Sequence, residues 1–373
     1  MRRYDVIIAG LGAMGSAALY HLADRGVSVV GFDRYAPPHT LGSSHGETRM
    51  IREAYYEHPG YVHLVRRAYD LWHKLSEVSG HTLIEETGGI FAGPLDGELV
   101  PGILRSAREH HIPVQSLPPA AAAMRAPWLA FDAVMRIVSE PRAGLVYPER
   151  CITAHIEGAR RGGATVQTGE PVESWRATAD GVTVRTARGE YAADRLILTT
   201  GAWIVDVLAD IGVHAVVERQ PLLWFASRAG APAPSTVWAL EFEHGKLLYG
   251  FPAMDNRVKV AIHYGGAQQT TAEQVDRTFH PEDEQLLRRF ADRYLPGVLG
   301  GLARGEVCMY TNTPDLHFIF DAHPQHDNVL VVSACSGHGF KFSSAIGEAA
   351  AQWAHDGRPQ IDMSRFALSR LLR

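Results

Sequence analysis

Val6-Ile7-Ile8-Ala9-Gly10-Leu11-Gly12-Ala13-Met14-Gly15 is the stretch that decides the fold. Val6 to Ala9 is a short, continuously apolar run rich in β-branched residues, the pattern of a strand buried on both faces. Residues 13–24 carry Met14, Ala17, Ala18 and Leu22 at helical spacing, and Gly26 predicts the stop. Val27 to Phe32 is a second buried strand ending at Asp33. The result is a βαβ opening on a parallel sheet.

The same stretch fits G-x-G-x-x-G in the context the pattern needs: after a strand and opening a helix. Gly10 permits the tight turn, Gly12 lets backbone approach a pyrophosphate, and Gly15 lets helix and strand pack closely. The helix N-terminus, with the N–H groups of Ala13 and Met14, offers partial positive charge to phosphates. Asp33 stands 18 residues after Gly15, where a carboxylate accepts from ribose hydroxyls. A dinucleotide cofactor is predicted.

Working outward, residues 59–78 hold Tyr61, Leu64, Val65, Ala68, Leu71, Trp72 and Leu75 on one helical face. Strands are predicted at 88–93, 164–168, 182–186, 195–203, 222–226, 236–242, 247–251, 257–263 and 329–334, and a helix at 151–161. Residues 118–127 and 229–236 are Ala/Pro-rich and read as connectors or short caps. The last strand feeds Gly337-His338-Gly339 and then an amphipathic helix through Ala345, Ile346, Ala349, Ala350 and Trp353.

Composition closes off other classes. The 373 residues are 46% hydrophobic and 21% charged, which suits a globular protein of about two structural units. A net charge of −5 shows no basic footprint for nucleic acid or an anionic membrane. Cys151, Cys308 and Cys335 form no CxxC, so neither a disulfide framework nor structural zinc is expected, and a reducing cytoplasm fits. The N-terminal apolar run is too short for a signal peptide, and no membrane-length apolar segment occurs. In Asp321-Ala322-His323-Pro324-Gln325-His326 the proline breaks helical ligand spacing, so the segment reads as a turn and no metal is predicted.

The motif alone does not separate NAD from FAD. Residues 36–55 are a polar, loop-like insertion rather than another regular βαβ unit, which suits a long cofactor contacted at its far end. The C-terminal strand–Gly–helix unit adds a second helix N-terminus, whose dipole favours the anionic charge of a reduced flavin ring. FAD is therefore the better fit.

Several further segments carry a family resemblance over essentially the whole chain. They are Pro37-Pro38-His39, Gly42-Ser43-Ser44-His45-Gly46-Glu47-Thr48-Arg49-Met50-Ile51-Arg52, Tyr249-Gly250-Phe251-Pro252, Lys259 with His263, Cys308-Met309-Tyr310-Thr311 followed by Pro314-Asp315, and Ser336-Gly337-His338-Gly339-Phe340-Lys341-Phe342-Ser343. Together with residues 10–15 they resemble the monomeric sarcosine oxidase family, which includes N-methyltryptophan oxidase.

The resemblance implies an α/β and α+β architecture: a Rossmann-like, glutathione-reductase-like FAD-binding domain interrupted by a mixed-sheet substrate domain. The expected division is residues 1–85, 148–218 and 315–373 for the first, and 86–147 with 219–314 for the second. It implies a monomeric flavoprotein that oxidises a secondary amino acid to an imine, which hydrolyses to aldehyde and amine, while O₂ becomes H₂O₂.

It also implies roles. Cys308 carries FAD covalently through the 8α-methyl group; on residue chemistry alone it reads instead as an inert buried thiol. Arg52 and Lys341 bind the substrate carboxylate, and Arg49 sits against the flavin. An arginine pair suits planar carboxylates, and residues 49 and 52 share a face if the segment is helical; the bland reading is ion pairing with Glu47 and Glu53. Lys259 holds a water and helps O₂ accept an electron. Residues 259, 261 and 263 share one strand face, which otherwise reads as the solvent side of an edge strand. His263, Tyr249 and Tyr310 orient amine and carboxylate. Ser43, Ser44, Gly201, Trp203, Met309, Gly337, His338 and Gly339 join the cofactor contacts, while Cys151 and Cys335 read as core.

Departures from the family are Ser44 in a usual His-His-Gly, Glu53 at a common histidine, Leu248 in a double tyrosine and Ala261 for glycine. Trp238 and Leu240 are expected on the substrate roof. The side-chain preference stays open, with cyclic imino acids or primary amino acids as alternatives. So do a flavin dehydrogenase and a non-catalytic flavin-binding redox module.

Overall fold

The computed structural model describes residues 2–333 and 335–372. The opening matches its reading: strand Arg2–Ala9, helix Ala13–Asp24 and strand Val29–Asp33. Both strands are parallel, with Val6 opposite Val29 and Ala9 opposite Phe32. They belong to an eight-stranded sheet whose main path runs Ser174–Thr178, Gly181–Thr186, Gly189–Leu198, Arg2–Ala9, Val29–Asp33, Thr165–Thr168. His326–Ser333 joins in parallel beside Gly189–Leu198, and Ile319–His323 pairs with it antiparallel across the turn at residues 324–325. Ala334, the end of the predicted final strand, lies outside the described residues. Helix Ala13–Asp24 packs against Pro148–Arg161 and Ser343–Asp356. A Cβ at Gly347 would come 2.3 Å from that of Ala17, so the last crossing requires glycine.

A second sheet has nine mostly antiparallel strands. Its central order is Val216–Ser227, Arg257–His263, Lys246–Gly250, Val237–Glu243, Gly89–Pro94, Met135–Glu140. Leu299–Asn312 pairs along Val216–Ser227, with Cys308 opposite Gln220. The sequence boundary at 218/219 falls inside one of these strands. Arg49–Ile51, Gly144–Val146 and Ile84–Glu85 form a small third sheet. The fold is thus a Rossmann-like α/β layer joined to a mixed-sheet layer.

Four expectations change. Arg49–Ile51 is a strand, not a helix. Residues 195–203 leave the strand at Leu198 and enter a 3-10 turn at Gly201–Ile204. The Ala/Pro-rich 118–127 stretch contains a helix, Pro119–Arg125, because proline at its first position suits helix entry and alanines propagate it. Arg257–His263 is an interior strand flanked on both sides, so its polar face meets protein rather than solvent. Helix Pro281–Tyr294 was not read from the sequence. His280 caps it, Asp283 returns the bond, and Pro281 to Glu284 supply proline and acids to the first turn, a visible start signal. Among the described residues no helix is long and apolar enough to cross a membrane.

Candidate active site

A cavity of about 260 Å³ runs between the two main sheets. Its first end is the glycine turn. Gly10 has φ +93°, and a Cβ there would lie 2.5 Å from the Thr199 carbonyl. Gly12, Ala13 and Met14 line the wall at the N-terminus of a helix with no acidic residue in its first turn. Asp33 lines it too, accepting from Leu11 N at 2.7 Å and Tyr35 N at 2.8 Å. Each carboxylate oxygen keeps a second lone pair. Gly15 lies behind the turn, where a Cβ would collide with the Gly10 carbonyl at 1.8 Å. Its duty is packing, not lining.

Ser43, Ser44, Gly201, Trp203, Met309, Gly337, His338 and Gly339 all reach the wall. The Ser43 and Thr200 hydroxyls are buried there without hydrogen-bond partners among the described residues. Buried hydroxyls normally find partners. Two such groups, an open Gly12 and an uncompensated helix N-terminus fit a dinucleotide cofactor.

Cys308 lies midway, 2% exposed. Its Sγ is 3.4 Å from Arg49 Nη2 and 3.4 Å from the Ser43 carbonyl. Burial raises its pKa, but the Arg49 guanidinium and neighbouring His45 overcome this and hold it at about 7. His45 sits 3.2 Å from Glu306. Burial opposes its charge, while Cys308 and Glu306 favour it and raise it to about 9. Cys308 therefore has the electropositive setting of a reactive thiol. Cys151 is core, but Cys335 lines the cavity and is half-buried, against its reading as core; burial pushes it up to about 11.

The far end holds two cations. Arg52 lies past the end of Arg49–Ile51, so both arginines reach the cavity although the segment is not helical. Arg52 Nη2 donates to both Glu57 oxygens, at 2.9 and 2.8 Å, and its guanidinium lies 4.4 Å from the Tyr55 ring and 4.5 Å from that of Tyr56. Its Nη1 is buried with no partner among the described residues. Glu47 and Glu53, its bland sequence partners, bind elsewhere: Glu53 to Arg66 and Arg142, Glu47 to Arg304. Glu57 was missed, since five residues from Arg52 is no helix or strand spacing.

Lys341 Nζ donates to the His338 carbonyl at 2.8 Å, and Trp72 Nε1 holds the Lys341 carbonyl at 2.9 Å. Burial and then Arg52 pull its pKa down to about 7, with Glu57 opposing. His263, Tyr249 and Tyr310 complete this end, with His263 Nδ1 3.0 Å from the Tyr310 hydroxyl. Burial lowers His263 to about 3, so it is neutral at ordinary pH.

Lys259 does not line the cavity. It stands one layer behind, 5% exposed, between the Phe251 and Trp224 rings. Trp238 and Leu240 are not on the roof. They face the sheet's other side, in a core with Trp128 and Leu248, and Ala239 between them faces the cavity. Strand alternation puts every second residue on the opposite face.

The family model for FAD dependent oxidoreductases matches residues 5–353. The chain belongs to the FAD-dependent oxidoreductase family. It is 39% identical to the monomeric sarcosine oxidase of Bacillus sp. (strain NS-129), over 98% of this chain and 97% of that one. It is 35% identical to the N-methyl-L-tryptophan oxidase of Yersinia pestis (strain Pestoides F), over 98% and 99%. Among solved structures, NikD, an unusual amino acid oxidase essential for nikkomycin biosynthesis, superposes with a TM-score of 0.86 at 22% identity, over 98% of each chain. Glycine oxidase from Geobacillus kaustophilus gives 0.83 at 22%, over 99% of each. These structures share the fold. The flavoenzyme is an oxidoreductase, and FAD is its cofactor.

Proposed function

We propose that this flavoenzyme oxidises N-methyl amino acids, and that its FAD is attached to Cys308. The observation that carries the reading is the pair of buried cations, Lys341 and Arg52, whose Nη1 has no partner among the described residues, on the wall shared with Cys308. A guanidinium and an ammonium are the groups that capture a carboxylate. The named relatives act on N-methyl amino acids, which supports the same class here.

FAD, when bound, supplies a two-electron acceptor. Gly10, Gly12, Ala13, Met14, Asp33, Ser43, Ser44, Gly201, Trp203, Met309 and residues 337–339 would hold it. Gly15 supports the turn, and Arg49 and Lys341 meet the ring. The Cys308 thiolate, stabilised by Arg49, is suited to a thioether at the 8α-methyl group.

Arg52 and Lys341 fix the substrate carboxylate. Neutral His263 with Tyr310 and Tyr249 accepts the amine without favouring its ammonium form, which cannot lose hydride. The N-methyl carbon then leaves as formaldehyde: amino acid, O₂ and water become the demethylated amino acid, formaldehyde and H₂O₂. Lys259 supplies a fixed cation for O₂ as it accepts charge. A cytoplasmic monomer, with residues 1–85, 148–218 and 315–373 forming the flavin unit and 86–147 with 219–314 the substrate unit, belongs to this reading.

Acid precipitation of the purified protein tests the linkage. A yellow pellet is expected, and Cys308→Ala moves the colour to the supernatant; a yellow supernatant from the wild type rejects the bond. Peroxide release on sarcosine, N-methyltryptophan and cyclic imino acids tests the substrate class, and activity confined to the last rejects it.

Lys341 adds a pH dependence. A carboxylate binds the ammonium form better, so affinity is full below the free-enzyme pKa of about 7. Above it, affinity falls by up to about tenfold per pH unit until the pKa of the complex is reached. Titration of a non-oxidisable carboxylate between about pH 6 and 9 measures it, and Lys341→Gln should abolish the step. An unchanged step in that variant removes Lys341 from the role.

A further inference from the structure

Lys259 Nζ donates to the Gly46 carbonyl at 2.5 Å, the Thr48 carbonyl at 2.9 Å and the Thr48 hydroxyl at 3.2 Å. The two carbonyls flank Glu47. They converge on one ammonium because the chain turns tightly there, with Thr48 N donating to the Gly46 carbonyl at 2.8 Å. Glu47 takes φ +70°, after Gly46 at +96°. A glutamate does not adopt the left-handed region unaided.

Two carboxylates hold the turn: that of Glu47 itself and that of Glu149. Glu47 Oε2 accepts from Trp224 Nε1 at 2.8 Å, and its Oε1 accepts from Arg304 Nη1 at 2.6 Å. Glu149, from the first turn of Pro148–Arg161, accepts from Gly46 N at 2.6 Å and Glu47 N at 3.1 Å. Trp224 is the cross-strand partner of Lys259, and its ring lies 5.3 Å from Nζ. One indole thus touches both the ammonium and the carboxylate that shapes its cradle.

We propose that Glu47 is a positioning residue, which clamps the 46–48 turn so that two backbone carbonyls hold the Lys259 ammonium in one place. The proposal rests on the reading of Lys259 as the cation that serves O₂. Burial in this protein works against a charged lysine, and Arg49 adds to that; Glu149, Cys308 and Glu47 oppose them. A cation in such a place needs fixed acceptors to stay charged and in position.

Two readouts on the intact holoprotein test it. One is acetylation of Lys259 by an N-hydroxysuccinimide ester, read by peptide mass spectrometry against exposed Lys74. The other splits catalysis into anaerobic reduction by substrate and reaction of the reduced protein with O₂. Glu47→Ala should raise Lys259 acetylation and slow the O₂ reaction, each by about tenfold or more, with reduction within about twofold. Glu47→Gln keeps one acceptor oxygen and loses the other, so it holds only one of the bonds from Trp224 and Arg304 and should fall between wild type and Glu47→Ala in both readouts. Trp224→Phe leaves Glu47 in place but removes one donor, and should shift both readouts the same way by a smaller factor.

Unchanged acetylation in Glu47→Ala overturns the proposal. So does equal loss in both half-reactions. If Lys259→Met reacts normally with O₂ while Glu47→Ala still frees Lys259, the reading of Lys259 fails and the clamp stands.

Discussion

Lys259→Met slows the reaction of the substrate-reduced protein with O₂ by about 10²–10³-fold, while anaerobic reduction by substrate changes by less than about tenfold. The reason is positional. The ammonium is buried, held by the Gly46 and Thr48 carbonyls, and faced by the Phe251 and Trp224 rings. A fixed charge in a dry setting stabilises developing negative charge far more than it would in water. Lys259 lies behind the cavity wall and touches none of the cations that would bind substrate, so the reductive half-reaction is spared. Methionine keeps the length and apolar stem, which limits repacking. Stopped-flow traces of the two half-reactions make the comparison. Equal losses in both would remove Lys259 from oxygen chemistry.

Arg52→Gln lowers kcat/KM for an N-methyl amino acid by about 10²–10³-fold and also destabilises the protein by about 3–5 kcal/mol. The two effects have separate origins. The first is loss of the guanidinium that, on the proposed reading, would capture the carboxylate. The second is Glu57, mostly buried and left without the Arg52 Nη2 that donates to both its oxygens. Burial resists the charge of Glu57, yet Arg52 leads the groups that hold its pKa at about 2. A carboxylate depressed from 4.5 to about 2 contributes stability above about pH 4.5 that is lost as pH falls through 2. Arg52→Gln/Glu57→Gln removes both charges. It should recover most of the lost stability while kcat/KM stays low. Thermal melts and steady-state kinetics on the two variants separate the effects; full kinetic recovery in the double variant would mean that Arg52 serves only to neutralise Glu57.

The sequence by itself determined the parts that depend on local order. The strand at Val6–Ala9, the helix at 13–24 with matching bounds, and Asp33 at the cavity follow from apolar runs, 3.6-residue spacing and glycine punctuation. Such patterns are complete within a dozen residues. Of the residues given a site role from the sequence, all but Gly15, Lys259, Trp238 and Leu240 reach the cavity, because most roles sit in recognisable short strings.

Tertiary structure decided what depends on partners far apart in the chain. Arg49 closes on Cys308 across 259 residues, and Glu47 on Trp224 across 177. No spacing rule predicts these pairs, since each is made by packing one sheet on another. The same holds for burial. Alternation placed Lys259 and His263 on one face, but only strand order made that face interior. Alternation likewise put Trp238 and Leu240 on the face opposite Ala239, and only the fold made theirs a buried core and Ala239's the cavity. A side chain's face is set by its own strand, whereas what that face meets, and so its charge state and chemistry, is set by the neighbours the fold brings to it.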